Sequence, residues 1–251
     1  MENNFVYAIL SYNRSERQLT VNYLQKIGIK KEQIFVFVQT EEDKKKYEEI
    51  IGNFAQIILK EASRGVEARN NILNELIDKT NVMMLDDDIS AIGQLNGSNE
   101  IVKIEDGETL NKTFGTFFEL CEKSKVKMFG IYPVFNDFYM ERSISTKAPI
   151  NTVFGILKGF KERFNEEYDT KEDAEICARI LRTGRSIFRF NSLAVEADHR
   201  KTKNGYIDDW HQEENVRCVK RITREYPTVY KEQKGKPWEV RCIIKDKKIK
   251  F

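Results

Sequence analysis

The chain has 251 residues, 40% of them hydrophobic and 33% charged, which is enough apolar material for one substantial core and too much for intrinsic disorder. Lysine and arginine number 42 against 40 acidic side chains, and a formal charge of +2 gives no sign of a general polyanion binder. That balance is uneven: residues 200–251 hold 15 basic and 8 acidic side chains, so residues 1–199 are net acidic, and the basic end reads either as a solvated helical face or as a surface for an anionic partner.

Taken in chain order, the first ninety residues alternate between two periods. The runs at 5–10 (FVYAIL), 34–38 (IFVFV), 55–59 (AQIIL) and 82–85 (VMML) are short, apolar and rich in β-branched and aromatic residues, as strands buried on both faces require. The first is too short to span a bilayer and has no basic lead or cleavage site, so neither secretion nor membrane insertion is expected. Helical patterns follow these runs: Ser15 with Gln18 and Thr40 with Asp43 have capping-box spacing, and Ala68, Ile72, Leu73, Leu76 and Ile77 recur at helical intervals between about Val66 and Asp78. Strand and helix in alternation predict a parallel sheet with right-handed crossovers.

Beyond residue 96 the rhythm loosens. Residues 96–99 (NGSN) form a loop, Thr109 to Ser124 a helix and Met128 to Tyr132 a buried strand. Pro133 to Pro149 is irregular and aromatic, a candidate substrate-facing loop, and Val153 to Leu157 returns to strand. Thr170 to Thr183 reads as a helix closed by Gly184, Ile187 to Phe190 as a strand, and His211 to about Tyr226 as a helix before a lysine-rich end. Cys121, Cys177, Cys218 and Cys242 are too widely spaced for a metal knuckle or redox pair, and free thiols in a reducing cytoplasm are expected.

The sharpest feature is the triplet Asp86-Asp87-Asp88, directly after the run Val82 to Leu85. Ligands of open parallel sheets bind where strands end, and three adjacent carboxylates there repel one another unless a cation is present. A hard divalent ion takes oxygen ligands and leaves positions for phosphate; the alternative is an acidic cap or turn. Glu172-Asp173 at the start of a helix is a second acidic pair, suited either to the helix dipole or to general-base work. Arg69 could clamp a phosphate or serve a surface ion pair. His199, one of two histidines, follows the strand-like segment that ends near Val195, and Arg200, Lys201 and Lys203 follow it in a loop that could close over a diphosphate.

Ser11-Tyr12-Asn13-Arg14 after the first strand, Gly65 through Ala68-Arg69-Asn70, Leu85-Asp86-Asp87-Asp88-Ile89, and Lys171-Glu172-Asp173 heading a helix that ends Arg182-Thr183-Gly184 resemble, in that order, a GT-A fold glycosyltransferase of the family 2 type. The resemblance covers roughly residues 5–199. It implies an α/β fold with a single Rossmann-like mixed, mainly parallel sheet flanked by helices, comprising a catalytic domain over 1–199 and a basic C-terminal helical extension over 200–251 packed on it. It further implies a metal-dependent, inverting hexosyl- or pentosyltransferase. Tyr12, Asn13, Arg14, Arg69, Asp86 and Asp87 would contact the nucleotide-sugar donor, most simply a UDP-sugar. Asp88 and His199 would hold Mn²⁺ or Mg²⁺, and Asp173, with Glu172 as the alternate, would be the base. The second strand ends Val38-Gln39-Thr40 without the acidic residue that often contacts the base in that family, which leaves uracil recognition open.

A narrower resemblance, in Asp-Asp-Asp-Ile after the fourth strand and in Phe-Val followed by Thr-Glu-Glu at the second, is to the TET-associated glycosyltransferases. It implies an acceptor in hydroxymethylated pyrimidine of phage DNA. Phe135, Phe138, Tyr139 and Trp210 could then hold an extruded base, and Arg200, Lys201 and Lys203 could reach phosphates; ordinary packing is the competing role for each aromatic. A polysaccharide or protein acceptor, or a catalytically dead scaffold that binds DNA, are the competing functions. An aspartate-motif phosphatase would open on its acidic strand, and a sugar nucleotidyltransferase needs a glycine-rich first loop, which Leu10 to Arg14 is not.

Overall fold

The computed structural model describes residues 4–147, 150, 152–198 and 209–250, with the backbone alone at 209–212. Its first half has the anticipated alternation: β1 (Phe5–Leu10), α1 (Leu19–Lys26), β2 (Ile34–Val38), α2 (Glu41–Ile51), β3 (Gln56–Leu59), α3 (Gly65–Leu76) and β4 (Asn81–Asp86). There follow β5 (Ile89–Leu95), β6 (Ile101–Lys103), α4 (Gly107–Lys123), β7 (Met128–Tyr132), β8 (Ser143–Ser145), β9 (Val153–Ile156), α5 (Glu172–Arg182) and β10 (Phe188–Ala197). The chain continues through α6 (Asp209–Glu225), β11 (Tyr230–Gln233), β12 (Lys236–Cys242) and β13 (Lys248–Lys250).

The main sheet runs β13-β8-β10-β7-β9-β4-β1-β2-β3. β1 is parallel to β2 and β4, and β2 to β3. β9 lies antiparallel between β4 and β7, which restores the common direction at β7, and β10 is parallel to β7. Six strands therefore end at one edge, and the loops after β1, β4 and β7 all leave from it. Side-chain alternation fills both faces: Tyr7, Ile9, Met83 and Leu85 pack with Val21, Leu24, Phe114 and Phe118 on one side, while Ala8, Val82 and Met84 pack with Ile72, Leu73, Ile176 and Ile222 on the other. Burial on both faces is why these strands are continuously apolar.

Three local expectations change. Ser15 does not cap α1: Ser15–Arg17 is a single 3-10 turn and the helix starts at Leu19, because the Gln18 amide turns inward to Ser11 and to the carbonyl of Arg14. Thr40 does cap α2, its hydroxyl accepting the Asp43 N–H at 3.1 Å. The Asn96–Asn99 loop is the turn of a hairpin, β5 with β6, that periodicity did not reveal. The last strand before residue 199 extends to Ala197, with a register shift between Phe190 and Ala194 where it passes β7. At the C-terminus, β11 and β12 form a separate hairpin, and β13 adds to the edge of the main sheet beside β8. No helix among the described residues is long and apolar enough to cross a membrane.

Candidate active site

The turn that follows β4 is held from beneath by the start of α1. The Thr20 hydroxyl donates to the carbonyl of Asp86 (2.6 Å) and accepts the N–H of Ile89 (3.0 Å), while the Thr20 N–H reaches the carbonyl of Asp87 at 3.3 Å. A single threonine thus satisfies both limbs of the turn, and backbone groups that would otherwise be costly to bury are paired.

Within the triplet the three carboxylates have different surroundings. Asp87 points into the protein: Ser11 donates to its Oδ2 at 2.5 Å and the Arg14 guanidinium to its Oδ1 at 2.6 Å. Gln18 and the Tyr47 hydroxyl complete this cluster, with Tyr47 accepting the Arg14 N–H at 3.0 Å. Burial pushes the Asp87 carboxyl above its ordinary value against the pull of Ser11 and Arg14, and burial likewise raises the Tyr47 phenol to about 12. Asp87 and Arg14, both expected at the donor, are therefore bonded to each other and organise the loop after β1. Asn13 in that loop has φ 50 and Tyr12 is exposed, so the backbone turns outward between two anchored residues.

Asp86 faces the other way, toward α3 and α5. Arg69 donates through one terminal nitrogen to Asp86 Oδ1 (3.0 Å) and through Nε to Glu172 Oε1 (2.9 Å), with its guanidinium 5.6 Å from the centre of the Phe154 ring. Burial works against the Arg69 charge, but Asp86, Glu172 and Asp173 outweigh it and hold the guanidinium protonated. Burial raises the Glu172 carboxyl, with Arg69 opposing it. The remaining terminal nitrogen of Arg69, Nη1, is buried with no hydrogen-bond partner among the described residues. Arg69 thus ties the end of the acidic strand to the first residue of α5.

α5 starts from Lys171 in the left-handed region (φ 64), a conformation that costs a non-glycine residue roughly 1 kcal/mol and concentrates at functional sites. This turn sets Glu172 inward and leaves Asp173 half-buried beside it, its Oδ1 accepting the Ala174 N–H at 2.7 Å. The Asp198 N–H donates to the carbonyl of Asp88 at 3.0 Å, so the end of β10 is fastened to the triplet. His199, Arg200, Lys201 and Lys203 lie outside the described residues, as does the side chain of Trp210.

The aromatic loop after β7 emerges at the same sheet edge. Its 3-10 turn (Asp137–Tyr139) is capped by the Asn136 side chain and presents Phe138, 83% exposed, and Tyr139, 60% exposed, edge to face at 4.9 Å. Phe135 instead packs with Leu95, Met140 and Ala194 and lies against Gly93, where a Cβ would meet its ring at 2.6 Å. A cavity of about 500 Å³ between α3, α5 and α6, lined by Asn70, Arg163, Glu175 and Tyr226 among others, contains none of the anticipated residues.

Among the described residues no group of three or more His, Cys, Asp or Glu side chains gathers around a metal position. Ser11, Gln18, Thr20 and Tyr47, which position the triplet, escaped the sequence reading. Only Ser11 had a signal, its place in the loop after β1.

Comparison with known proteins adds to this geometry. A family model described as TET-Associated Glycosyltransferase matches residues 6–205. Among solved structures, the mannosyltransferase PcManGT from Pyrobaculum calidifontis, in complex with GDP-Man and Mn²⁺, is similar with a TM-score of 0.55 at 12% identity, over 88% of this chain and 64% of its own. GalNAc-T7 with UDP, GalNAc and Mn²⁺ is similar with a TM-score of 0.53 at 11% identity, over 94% of this chain and 52% of its own. The chain spans less than two thirds of the length of either, and at such identity the likeness is one of fold, the GT-A glycosyltransferase architecture. No curated protein matches the chain in sequence.

Proposed function

The chain belongs to the TET-associated glycosyltransferase family, and from that membership we propose that it moves a sugar from a nucleotide-sugar donor to the hydroxyl of a 5-hydroxymethylpyrimidine in DNA, with divalent-metal dependence and inversion at the anomeric carbon. The observation that carries this reading is the Arg69 bridge, which joins Asp86 on the donor side to Glu172 beside Asp173.

In the proposed reaction Asp173 takes the proton of the acceptor hydroxyl as its oxygen bonds to C1 of the sugar, and the bond from C1 to the diphosphate oxygen breaks on the opposite face. Glu172 is the poorer candidate for the base because its carboxylate is already bonded to Arg69. Tyr12 and Asn13 would contact the nucleoside at the end of β1, and Asp87 acts on that loop through Ser11 and Arg14. Asp88 with His199 would hold a divalent ion, which when bound would neutralise charge on the departing diphosphate. Phe138 and Tyr139 offer open ring faces for a base swung out of its stack. Free cysteines, three of the four buried, suit a reducing cytoplasm.

The test is incubation with a panel of nucleotide sugars, Mn²⁺ and hydroxymethylated DNA. Released nucleoside diphosphate is measured, and the nucleosides are analysed by mass spectrometry for a hexose- or pentose-sized gain. Neither binding nor turnover with any donor would overturn the transferase reading. Donor turnover with no gain on any nucleoside would overturn the DNA acceptor alone.

A further inference from the structure

We propose that the hairpin of β11 and β12, with the segment that follows it to Lys250, is a docking surface for the sugar-phosphate backbone of duplex DNA, distinct from the site where the base reacts. This inference rests on DNA being the acceptor. The family match ends at residue 205, so the hairpin lies beyond it.

Residues 231–250 contain eight basic and three acidic side chains. Two of the three acids are spent locally: Asp246 accepts the backbone N–H groups of Thr146 and Lys147, and Glu239 pairs with Lys236 at 3.2 Å. Lys248 pairs with Glu141 across the β8–β13 edge. Lys231, Lys234, Arg241, Lys245 and Lys247 remain exposed and form no salt bridge among the described residues, while Lys250, also exposed, lies in the field of Glu141.

The register makes this excess costly to the fold. Tyr230 lies opposite Cys242 and Lys231 directly opposite Arg241. The first pair faces the core, since Tyr230 is buried and Val240 and Cys242 pack on the apolar cluster beneath. The second pair therefore sits on the outer face, two like charges opposed across an antiparallel ladder, an arrangement that destabilises a hairpin. Neither side chain forms a salt bridge among the described residues, and a row of phosphates would relieve the repulsion. Near the same hairpin's tip Trp238, 47% exposed, adds an aromatic surface beside the cations. A regularly spaced polyanion is the partner this pattern suits, because several separated lysines each gain from one phosphate by releasing its condensed counterion.

The hairpin is also attached close to the candidate base. Tyr230 begins β11 and sits in the same buried cluster as Ala174 and Cys177 of α5, the helix whose first turn carries Asp173. Backbone held here would lie near the acceptor side of the sheet edge.

The experiment is fluorescence anisotropy of a labelled 20-base-pair duplex, titrated with the full chain between 50 and 200 mM salt. Wild-type protein is compared with the double variant Lys231→Gln/Arg241→Gln, and both are checked by thermal melting. The slope of log Kd against log salt is expected to fall by roughly 2 in magnitude in the double variant, about 0.9 per lost phosphate contact, with binding weakened about tenfold. Donor-driven nucleotide release, read without DNA, should be unchanged. Lys245→Gln/Lys247→Gln is the second variant should the first melt early. If wild type binds and all variants keep its affinity and slope, or if wild type does not bind the duplex at all, the proposal is overturned, while nucleotide release leaves the transferase reading standing. If wild type binds through these residues yet glycosylates no DNA, the docking surface stands and the reading of the acceptor falls.

Discussion

The turn after β4 and the hairpin of β11 and β12 are both crowded with charge and handle it in opposite ways. At the turn, Asp87 meets Arg14 at 2.6 Å, and Asp86 and Glu172 share one guanidinium. On the hairpin, Lys231 faces Arg241 with no carboxylate to separate them. Ions that are buried must be paired, because an unpaired charge in a low-dielectric setting costs several kcal/mol; an exposed lysine is hydrated and can wait for a partner. The comparison separates charges that build the site from charges that await something outside the fold.

The strongest way to break this comparison is at the acidic pair. Asp173→Asn should reduce sugar transfer by about 10²–10⁴-fold while sparing donor binding, measured by steady-state kinetics beside donor titration; transfer at the wild-type rate would place the base elsewhere. Next is Arg69→Met, which removes the guanidinium shared by Glu172 and the half-buried Asp86. A loss of roughly 3–5 kcal/mol is expected in urea unfolding, and an unaltered midpoint would mean that the bridge does not support the fold.

A subtler effect concerns pH. Burial raises the Asp87 carboxyl above its ordinary 3.8, so the folded state holds that proton more tightly than the unfolded chain does, and this group's contribution to stability falls as pH rises from 3.8 through the raised value. Asp87→Asn should remove that decline from the pH dependence of the melting temperature, followed by thermal melts across the acid range, and an unchanged profile would show that Asp87 is not its source. The smallest effect carries the opposite sign. Lys231→Glu, placed opposite Arg241, should stabilise the hairpin by about 0.5 kcal/mol and weaken duplex binding. Stability lost together with binding would show that the lysine serves the fold.

Much of the site was legible in the chain. Asp86 to Asp88 could be placed because a buried apolar run must end at a sheet edge, and Glu172 and Asp173 because helical periodicity begins beside them. The division of labour within each group was not. Asp86, Asp87 and Asp88 are chemically identical, and only the approach of Ser11 and Arg14 from the loop after β1, 73 to 76 residues away along the chain, makes Asp87 an internal anchor. Thr20 carries no signal in the chain, since its two bonds to the turn depend on how α1 crosses β4. Phe135 and Phe138 are three residues apart and alike in type, yet one fills the space over Gly93 and the other faces outward.

By itself the sequence determined the alternation of strand and helix, the two-faced core and the position of the acids along the chain, because hydrophobic periodicity and short-range capping are local properties. The antiparallel insertion of β9, the hairpin at β5 and β6, the addition of β13 to the main sheet and the guanidinium shared between Asp86 and Glu172 were decided by tertiary structure. Each depends on which distant segments meet, and no local pattern records that. The +2 balance of the whole chain is the clearest case: composition shows charges that nearly cancel, while the fold shows which of them have found one another.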